Sequence, residues 1–178
     1  MATKKKVLLA VNSEYGQANV FLAAGHALQA LDEDVEIHFA SFKEIGADVA
    51  SSSDYSVRCT PGAAPWTFHP LDGPSWMEAI QGKDDAMAAL ERAMSQRLGF
   101  SSILAMLRNL GNLFLPWDEA EFDLVYKSFV RLVDDVRPDI IVVDSLFAPA
   151  LTACSALGLK HVVLSPNTLK DFSVVFQP

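Results

Sequence analysis

Cysteine is scarce in this sequence. Cys59 and Cys154 stand far apart and no CxxC pair occurs, which excludes a disulfide framework. Cys154 falls in an apolar helical pattern and reads as a buried thiol. Histidine is equally thin: His26, His38, His69 and His161 occupy no HExxH or comparable ligand spacing, so no metal site is expected. Positive charge is in deficit, with 14 basic against 22 acidic side chains and a net charge of −8. Such a chain repels phosphate backbones, and nucleic acid is not an expected partner. The one basic run, Lys4-Lys5-Lys6, reads as a solvated entry to the first strand. No stretch reaches 18 uninterrupted apolar residues, so no membrane span is expected. The start lacks the long apolar stretch of a signal peptide, which points to a cytoplasmic location. GxGxxG, GxxxxGK[ST] and GxSxG are all absent. Standard dinucleotide and nucleotide loops and a hydrolase nucleophile elbow are therefore not expected.

What is present is apolar material, 51% of 178 residues. That is enough for one domain with a real core, and it suits a sheet buried on both faces. Two continuous apolar runs read as central strands, 7–12 and 139–144. A helix is expected from about Gln17 to Leu31, with Val20, Ala24, Ala27, Leu28 and Leu31 as its apolar face. Val35–Phe39 alternates like a second strand, closing a strand–helix–strand unit of about 33 residues. Tyr55–Cys59 reads as the third strand and Thr60–Pro74 as loop, with an extended piece at 66–68. Helices are expected over Trp76–Leu98, 100–114 and Phe122–Val136. The stretch from about 60 to 117 looks like a helical and loop insertion. Leu124, Val125, Phe129, Leu132, Val133 and Val136 form the apolar face of the last helix. Arg137-Pro138-Asp139 makes a turn, a further helix runs over 150–157, and His161–Leu164 is the fifth strand.

The pattern predicts a Rossmann-like α/β fold: a parallel sheet of order 3-2-1-4-5 with helices on both faces. In such sheets the crevice opens outside the carboxyl ends of the strands, where the order reverses. Here that lies between the first and fourth strands, so Asn12–Gln17 should face Asp144–Phe147. Asp144 is the strongest single candidate. A carboxylate ending a buried strand needs a partner or a task; capping the following helical turn is the structural alternative.

Two segments carry a family resemblance. One is Val-Leu-Leu-Ala-Val-Asn-Ser-Glu-Tyr-Gly-Gln-Ala-Asn-Val, residues 7–20. The other is residues 137–160, Arg-Pro-Asp-Ile-Ile-Val-Val-Asp-Ser-Leu-Phe and onward. Together they resemble the N-terminal, acceptor-binding domain of UDP-sugar-dependent glycosyltransferases of the two-Rossmann-domain (GT-B) kind, in the style of fungal small-molecule or sterol-type members. The resemblance runs over nearly the whole chain and is weakest between 60 and 120. It implies that residues 1–178 are one half of a GT-B fold, with the C-terminal donor-binding domain absent. It implies an inverting hexosyltransferase acting on a hydroxyl of a small apolar acceptor. The UDP-sugar donor would be met in the complete enzyme and not held by this domain alone. The expected partner is a C-terminal donor-binding domain or a second subunit.

The same resemblance carries site residues. The family's glycine after the first strand matches Gly16, its aspartate after the fourth strand matches Asp144, and an asparagine matches Asn19. The position of its general-base histidine holds Gln17. A glutamine amide has no useful protonation near neutral pH and cannot act as that base. Three accounts stay open. Glu14 reaches the acceptor, its pKa raised by burial or by Asp144. Asp144 acts directly or through water. Or transfer activity has been lost, leaving a binding or regulatory subunit that docks on a partner glycosyltransferase. Ser145, Phe147, Trp66 and Trp117 complete the expected acceptor side. Phe100, Leu104, Leu107, Leu110 and Phe114 are candidates for its wall or lid, with plain core as the alternative for most of them.

Overall fold

The computed structural model describes residues 4–82 and 115–166. The expected helix over 100–114, with its proposed wall residues, lies outside them. Five parallel strands form one sheet of order β3-β2-β1-β4-β5: β1 Lys5–Ala10, β2 Val35–Ser41, β3 Thr67–Pro70, β4 Ile140–Asp144 and β5 His161–Leu164. The described helices are α1 Tyr15–Leu31, α2 Gly46–Cys59, the short α3 Trp76–Gln81, α4 Glu119–Val136 and α5 Ala148–Ala156, with a 3-10 turn at Lys43–Ile45. The expected fold class and strand order are those observed.

Each central strand divides its side chains between two cores, because successive residues point to opposite faces. Val7, Leu9, Ile37 and Phe39 pack with Phe21 of α1 and Val49 of α2. Leu8, Ala10, Ala40, Ile141 and Val143 pack with Val125, Phe129 and Val133 of α4 and Ala150 and Ala153 of α5. A sheet covered on both faces needs apolar residues at consecutive positions, which explains the unbroken runs of β1 and β4.

The third strand is not where the sequence suggested. Tyr55–Cys59 is the last part of α2, and the strand is Thr67–Pro70, inside the stretch read as loop. Ser53 and Ser56 are the buried residues there, alongside Val49, so the packed face of α2 is partly hydroxyl. A pattern search weighted to apolar residues passes over such a face. The short β3 overlaps the extended piece expected at 66–68. Its Phe68 and His69 pair in register with Phe39 and Ala40.

Helix α1 exists as expected, but its buried face is Ala18, Phe21, Leu22, Gly25 and Gln29. Val20 and Leu31, assigned to the core face from spacing, are exposed, Leu31 by 86%. The helix is apolar on nearly every side, so spacing could not choose among faces. Gly25 chooses: a Cβ there would stand 2.8 Å from the Trp66 ring and 3.2 Å from Leu9. The helix lies close against Trp66 at that point, and only glycine permits it. On α4, Leu124 is also exposed while Val125, Ser128, Phe129, Val133 and Val136 are buried.

Helix ends are set locally. Asp118 and Glu121 form a reciprocal capping box at the start of α4, and Ser75 and Glu78 form another at α3. Arg137 ends α4 in the left-handed region, φ 50°. Asp139 then accepts the Lys6 amide at 2.8 Å and donates its own amide to the Lys6 carbonyl at 2.9 Å, which joins the turn to β1. Lys5 and Lys6 thus belong to the first strand instead of preceding it, with Lys4 and the Lys5 side chain exposed. The Lys6 ammonium caps the Val136 carbonyl at the end of α4, where a cation complements the helix dipole.

Candidate functional site at the carboxyl edge of β1 and β4

Strand order reverses between β1 and β4, which are direct neighbours with Ala10 beside Val143. The chain leaves both strands at the same edge, and the two exits meet as expected. Asn12 Nδ2 lies 3.2 Å from the Leu146 carbonyl and 3.5 Å from Asp144 Oδ2, donating toward both. Asp144 Oδ1 accepts the Leu146 amide at 3.1 Å, an Asx turn that leads the chain toward α5. Ser145 Oγ and Ser165 Oγ, at the end of β5, lie within hydrogen-bond distance of one another, 3.1 Å apart.

Asp144 has no exposed surface. Burial pushes its carboxyl above the ordinary range, and hydrogen bonds from Leu146, from the backbone and side chain of Asn12 and from Ser145 pull it part of the way back. Its immediate work is structural: it organises the turn before α5 and holds Asn12. Sequence reasoning did not single out Asn12. The available signal was its place, directly after a buried strand and opposite Asp144.

Two buried polar side-chain atoms among the described residues lack a hydrogen-bond partner, Asn12 Oδ1 and Ser41 Oγ. Ser41 ends β2 and Asn12 follows β1, so both lie at the same sheet edge. Buried groups of this kind carry a cost of about 1–3 kcal/mol each. Their placement at the carboxyl edge of neighbouring strands marks that edge as a place where the fold is not optimised for stability alone.

The start of α1 supplies the rest. Glu14 is its N-cap residue by position but makes no side-chain cap; its carboxylate instead accepts the backbone amide of Met77 in α3. Burial raises the Glu14 pKa, the Met77 amide opposes the rise, and Glu44 adds a smaller upward push. The neighbouring carboxylate that perturbs it is therefore Glu44, whereas the sequence reading had offered Asp144. Gln17 is half-buried and its side chain makes no hydrogen bond to the described residues. Gly16 is exposed, with open space where a Cβ would stand. Asn19 is exposed on the next part of the turn.

The aromatic candidates separate. Phe147 is fully buried, edge-on to Phe42 at 5.9 Å and tilted against Trp117 at 6.3 Å. Trp117 donates its indole N–H to the Pro74 carbonyl at 2.9 Å and lines an open groove of about 630 Å³. Leu115, Phe122 and Tyr126 supply the groove's apolar wall, and Asp118, Glu119 and Asp123 lie along it. Trp117 therefore connects the strand-end cluster, through Phe147, to a surface groove.

Trp66 does not join them. It precedes Thr67, which pairs with His38, so it sits at the amino end of β3, away from the crevice. It is buried against Phe39 and Gly25, and its N–H is held by Gln29 Oε1 at 2.6 Å. It is a core residue, and its placement in an irregular segment misled the sequence reading. Among the described residues, no group of three or more His, Cys, Asp or Glu could hold a metal ion. No helix among them is long and apolar enough to cross a membrane.

No family model matches the chain. Among curated proteins, the glycosyltransferase sdnJ of Sordaria araneosa is 26% identical over 179 residues, covering 96% of this chain and 33% of its own length. Among solved structures, the glycosyltransferase SnogD from Streptomyces nogalater aligns with a TM-score of 0.58 at 17% identity, over 91% of this chain and 35% of that one. The glycosyltransferase SsfS6 of Streptomyces sp. SF2575, solved in complex with thymidine diphosphate, aligns at 0.54 and 16% identity, over 91% and 38%. The chain spans about a third of the length of these proteins. Its fold is that of a GT-B-like N-terminal Rossmann half.

Proposed function

We propose that this chain is the acceptor-binding, N-terminal part of an inverting UDP-sugar-dependent glycosyltransferase that transfers a hexose to a hydroxyl of a small apolar acceptor. A C-terminal donor-binding domain or a second subunit completes it. The observation that carries this reading is the pairing of Asn12 with Asp144 across the β1–β4 switch point. It lies beside the open start of α1 in a fold shared with glycosyltransferases.

Each residue then has a task. Asp144 is too buried to touch an acceptor and acts as a positioning residue through Asn12 and the Leu146 turn. Gln17, with its side-chain amide unspent, orients the acceptor hydroxyl by donating or accepting a hydrogen bond. Glu14 is the proton acceptor: half-buried and with a raised pKa, it is better matched to a hydroxyl than an ordinary surface carboxylate. Gly16, Asn19 and Ser145 border the acceptor. Trp117, with Phe147 behind it, receives the acceptor's apolar body in the groove. In the reaction the acceptor oxygen forms a bond to the anomeric carbon from the face opposite UDP. The bond to UDP breaks with its electron pair, and the hydroxyl proton passes to Glu14. The nucleotide and sugar of the donor are held chiefly by the completing domain.

The second reading is a non-catalytic subunit that docks on a partner glycosyltransferase. Gln17 at the expected base position supports it, as does the apolar β5 edge, where Val162 and Val163 are half exposed on opposite faces. One experiment separates the two. UDP release is measured with UDP-sugar, acceptor and the chain joined to its donor-binding domain. Glu14→Gln is expected to lower kcat by roughly 100-fold or more, the scale of general-base catalysis, with acceptor binding spared. Unchanged turnover in Glu14→Gln and Gln17→Ala would move the chemistry elsewhere. Full turnover by the 178-residue chain alone would overturn the need for a completing domain.

A further inference from the structure

The opposite end of α1 carries a second polar site. A groove of about 400 Å³ separates α1 from α2. His26 lies in it, roughly 16 Å along the helix axis from the crevice end of α1. Leu22 of α1 forms apolar wall, and Ser51, Ser52, Tyr55 and Arg58 of α2 face it.

Hydrogen bonds behind the groove determine which imidazole nitrogen is available. Gln29 Oε1 accepts the Trp66 indole N–H at 2.6 Å and the Ser56 hydroxyl at 2.8 Å. Gln29 Nε2 is used on the Ala64 carbonyl at 2.7 Å. Ser56 has thereby spent its only proton, so toward His26 Nδ1, 3.2 Å away, its oxygen can only accept. Nδ1 therefore carries the hydrogen, and Nε2 is the nitrogen left over. The Tyr55 ring stands 5.1 Å from the imidazole.

Arg58 is exposed and forms none of the salt bridges among the described residues. Asp54, one turn earlier on the same helix, does not close onto it. In a chain with 22 acidic and 14 basic side chains, a guanidinium left without an ion pair beside an imidazole and two serine hydroxyls is a local reversal of charge. A planar fork and short hydroxyl donors are groups that recognise a tetrahedral oxyanion. The net charge of −8 opposes approach to an anionic lipid surface, which favours a soluble ligand.

We propose that the α1–α2 groove binds a soluble phosphomonoester, with Arg58 on the phosphate oxygens, Ser51 and Ser52 donating, and the His26 ring beside them as polar wall. The carbon skeleton of the ligand lies along Leu22. The other titratable groups around His26 are Tyr55 and Arg58, both on α2; Ser56, Gln29 and Trp66 behind it carry no charge. The site is remote from the proposed acceptor side and does not depend on it.

Calorimetric titration of the full chain tests this, with glycerol 3-phosphate as probe and inorganic sulfate as an anion that does not titrate between pH 5.5 and 8. Saturable one-site binding is expected. Arg58→Ala should weaken it roughly tenfold, as loss of a charge-assisted contact does, with thermal unfolding unchanged because Arg58 is exposed. Sulfate should bind at the same site and be weakened in parallel by Arg58→Ala. Absence of saturation by about 10 mM ligand, or equal affinity in Arg58→Ala, would overturn the proposal. Arg58-dependent sedimentation with phosphatidylglycerol vesicles, without binding of glycerol 3-phosphate, would overturn it in favour of a membrane headgroup.

Discussion

Asn12 and Asp144 show how two side chains join distant parts of the chain. Removing the Asp144 side chain leaves the Leu146 N–H without its acceptor at a buried position and takes from the Asn12 amide one of its two acceptors. Asp144→Ala is therefore expected to lower unfolding stability by about 3 kcal/mol, and Asn12→Ala by about 1 kcal/mol, in denaturant titrations. The double variant should cost less than the sum, because the two share a bond. The pH response has a defined sign. The folded-state pKa of Asp144 is raised above its ordinary 3.8, so the folded protein holds the proton more tightly than the unfolded chain. This contribution is fully present below that value and is lost as pH rises through the raised pKa. Asp144→Asn should remove that falling limb from a plot of stability against pH. Glu14 gives the corresponding kinetic expectation. As a base it must be ionised, so kcat should rise with pH through its raised pKa, and Glu14→Gln should abolish the rise.

At the scale of elements, the contact of α1 with Trp66 is the tightest helix–sheet approach to carry a testable cost. Gly25→Ala gains about 1 kcal/mol of helix propensity but places a methyl 2.8 Å from the Trp66 ring and 3.2 Å from Leu9. Overpacking of that kind costs about 1–3 kcal/mol, so the variant should melt at a lower temperature despite its better helix former. The β2–β3 pair carries a pH response of the opposite sign. His38 Nε2 lies 2.9 Å from Glu36, and His38 Nδ1 lies 2.9 Å from His69 Nε2. Burial, and then His38, push the His69 pKa below its ordinary 6.5, with Asp135 opposing. A neutral His69 thus favours the fold above pH 6.5, and this contribution is lost as pH falls through that value toward the lowered pKa. Replacement by glutamine should flatten that acid limb.

For the whole molecule, the sheet is covered on both faces at its centre and open at one edge. Val143 is fully buried on β4, while its register partner Val163 on β5 is half exposed. The same substitution should separate them: Val143→Lys unfolds the domain, and Val163→Lys leaves the circular-dichroism melt nearly unchanged. The difference is the cost of desolvating an ammonium.

Order along the chain and hydrophobic runs were sufficient for the parallel sheet, for the first, second, fourth and fifth strands, and for the meeting of the exits from β1 and β4, but not for the position of β3. Those features follow from local burial patterns and from the handedness of parallel crossovers. Helix α2 escaped because its packed face includes Ser53 and Ser56. Its partners Trp66 and Gln29 come from far along the chain, and no local pattern contains them. Face selection on α1 and the removal of Trp66 to the core were likewise decided by long-range packing. The candidate site was legible as segments: Glu14 to Asn19, and Asp144 to Phe147. Its internal arrangement was not. Asp144 turned inward to Asn12, and Glu14 turned to Met77 of α3. Sequence by itself determined which polar residues end the buried strands, because solvent exclusion writes the strands as apolar runs. Tertiary structure alone decided which of those residues are spent on one another and which remain free to meet a ligand, because hydrogen-bond partners are chosen in space.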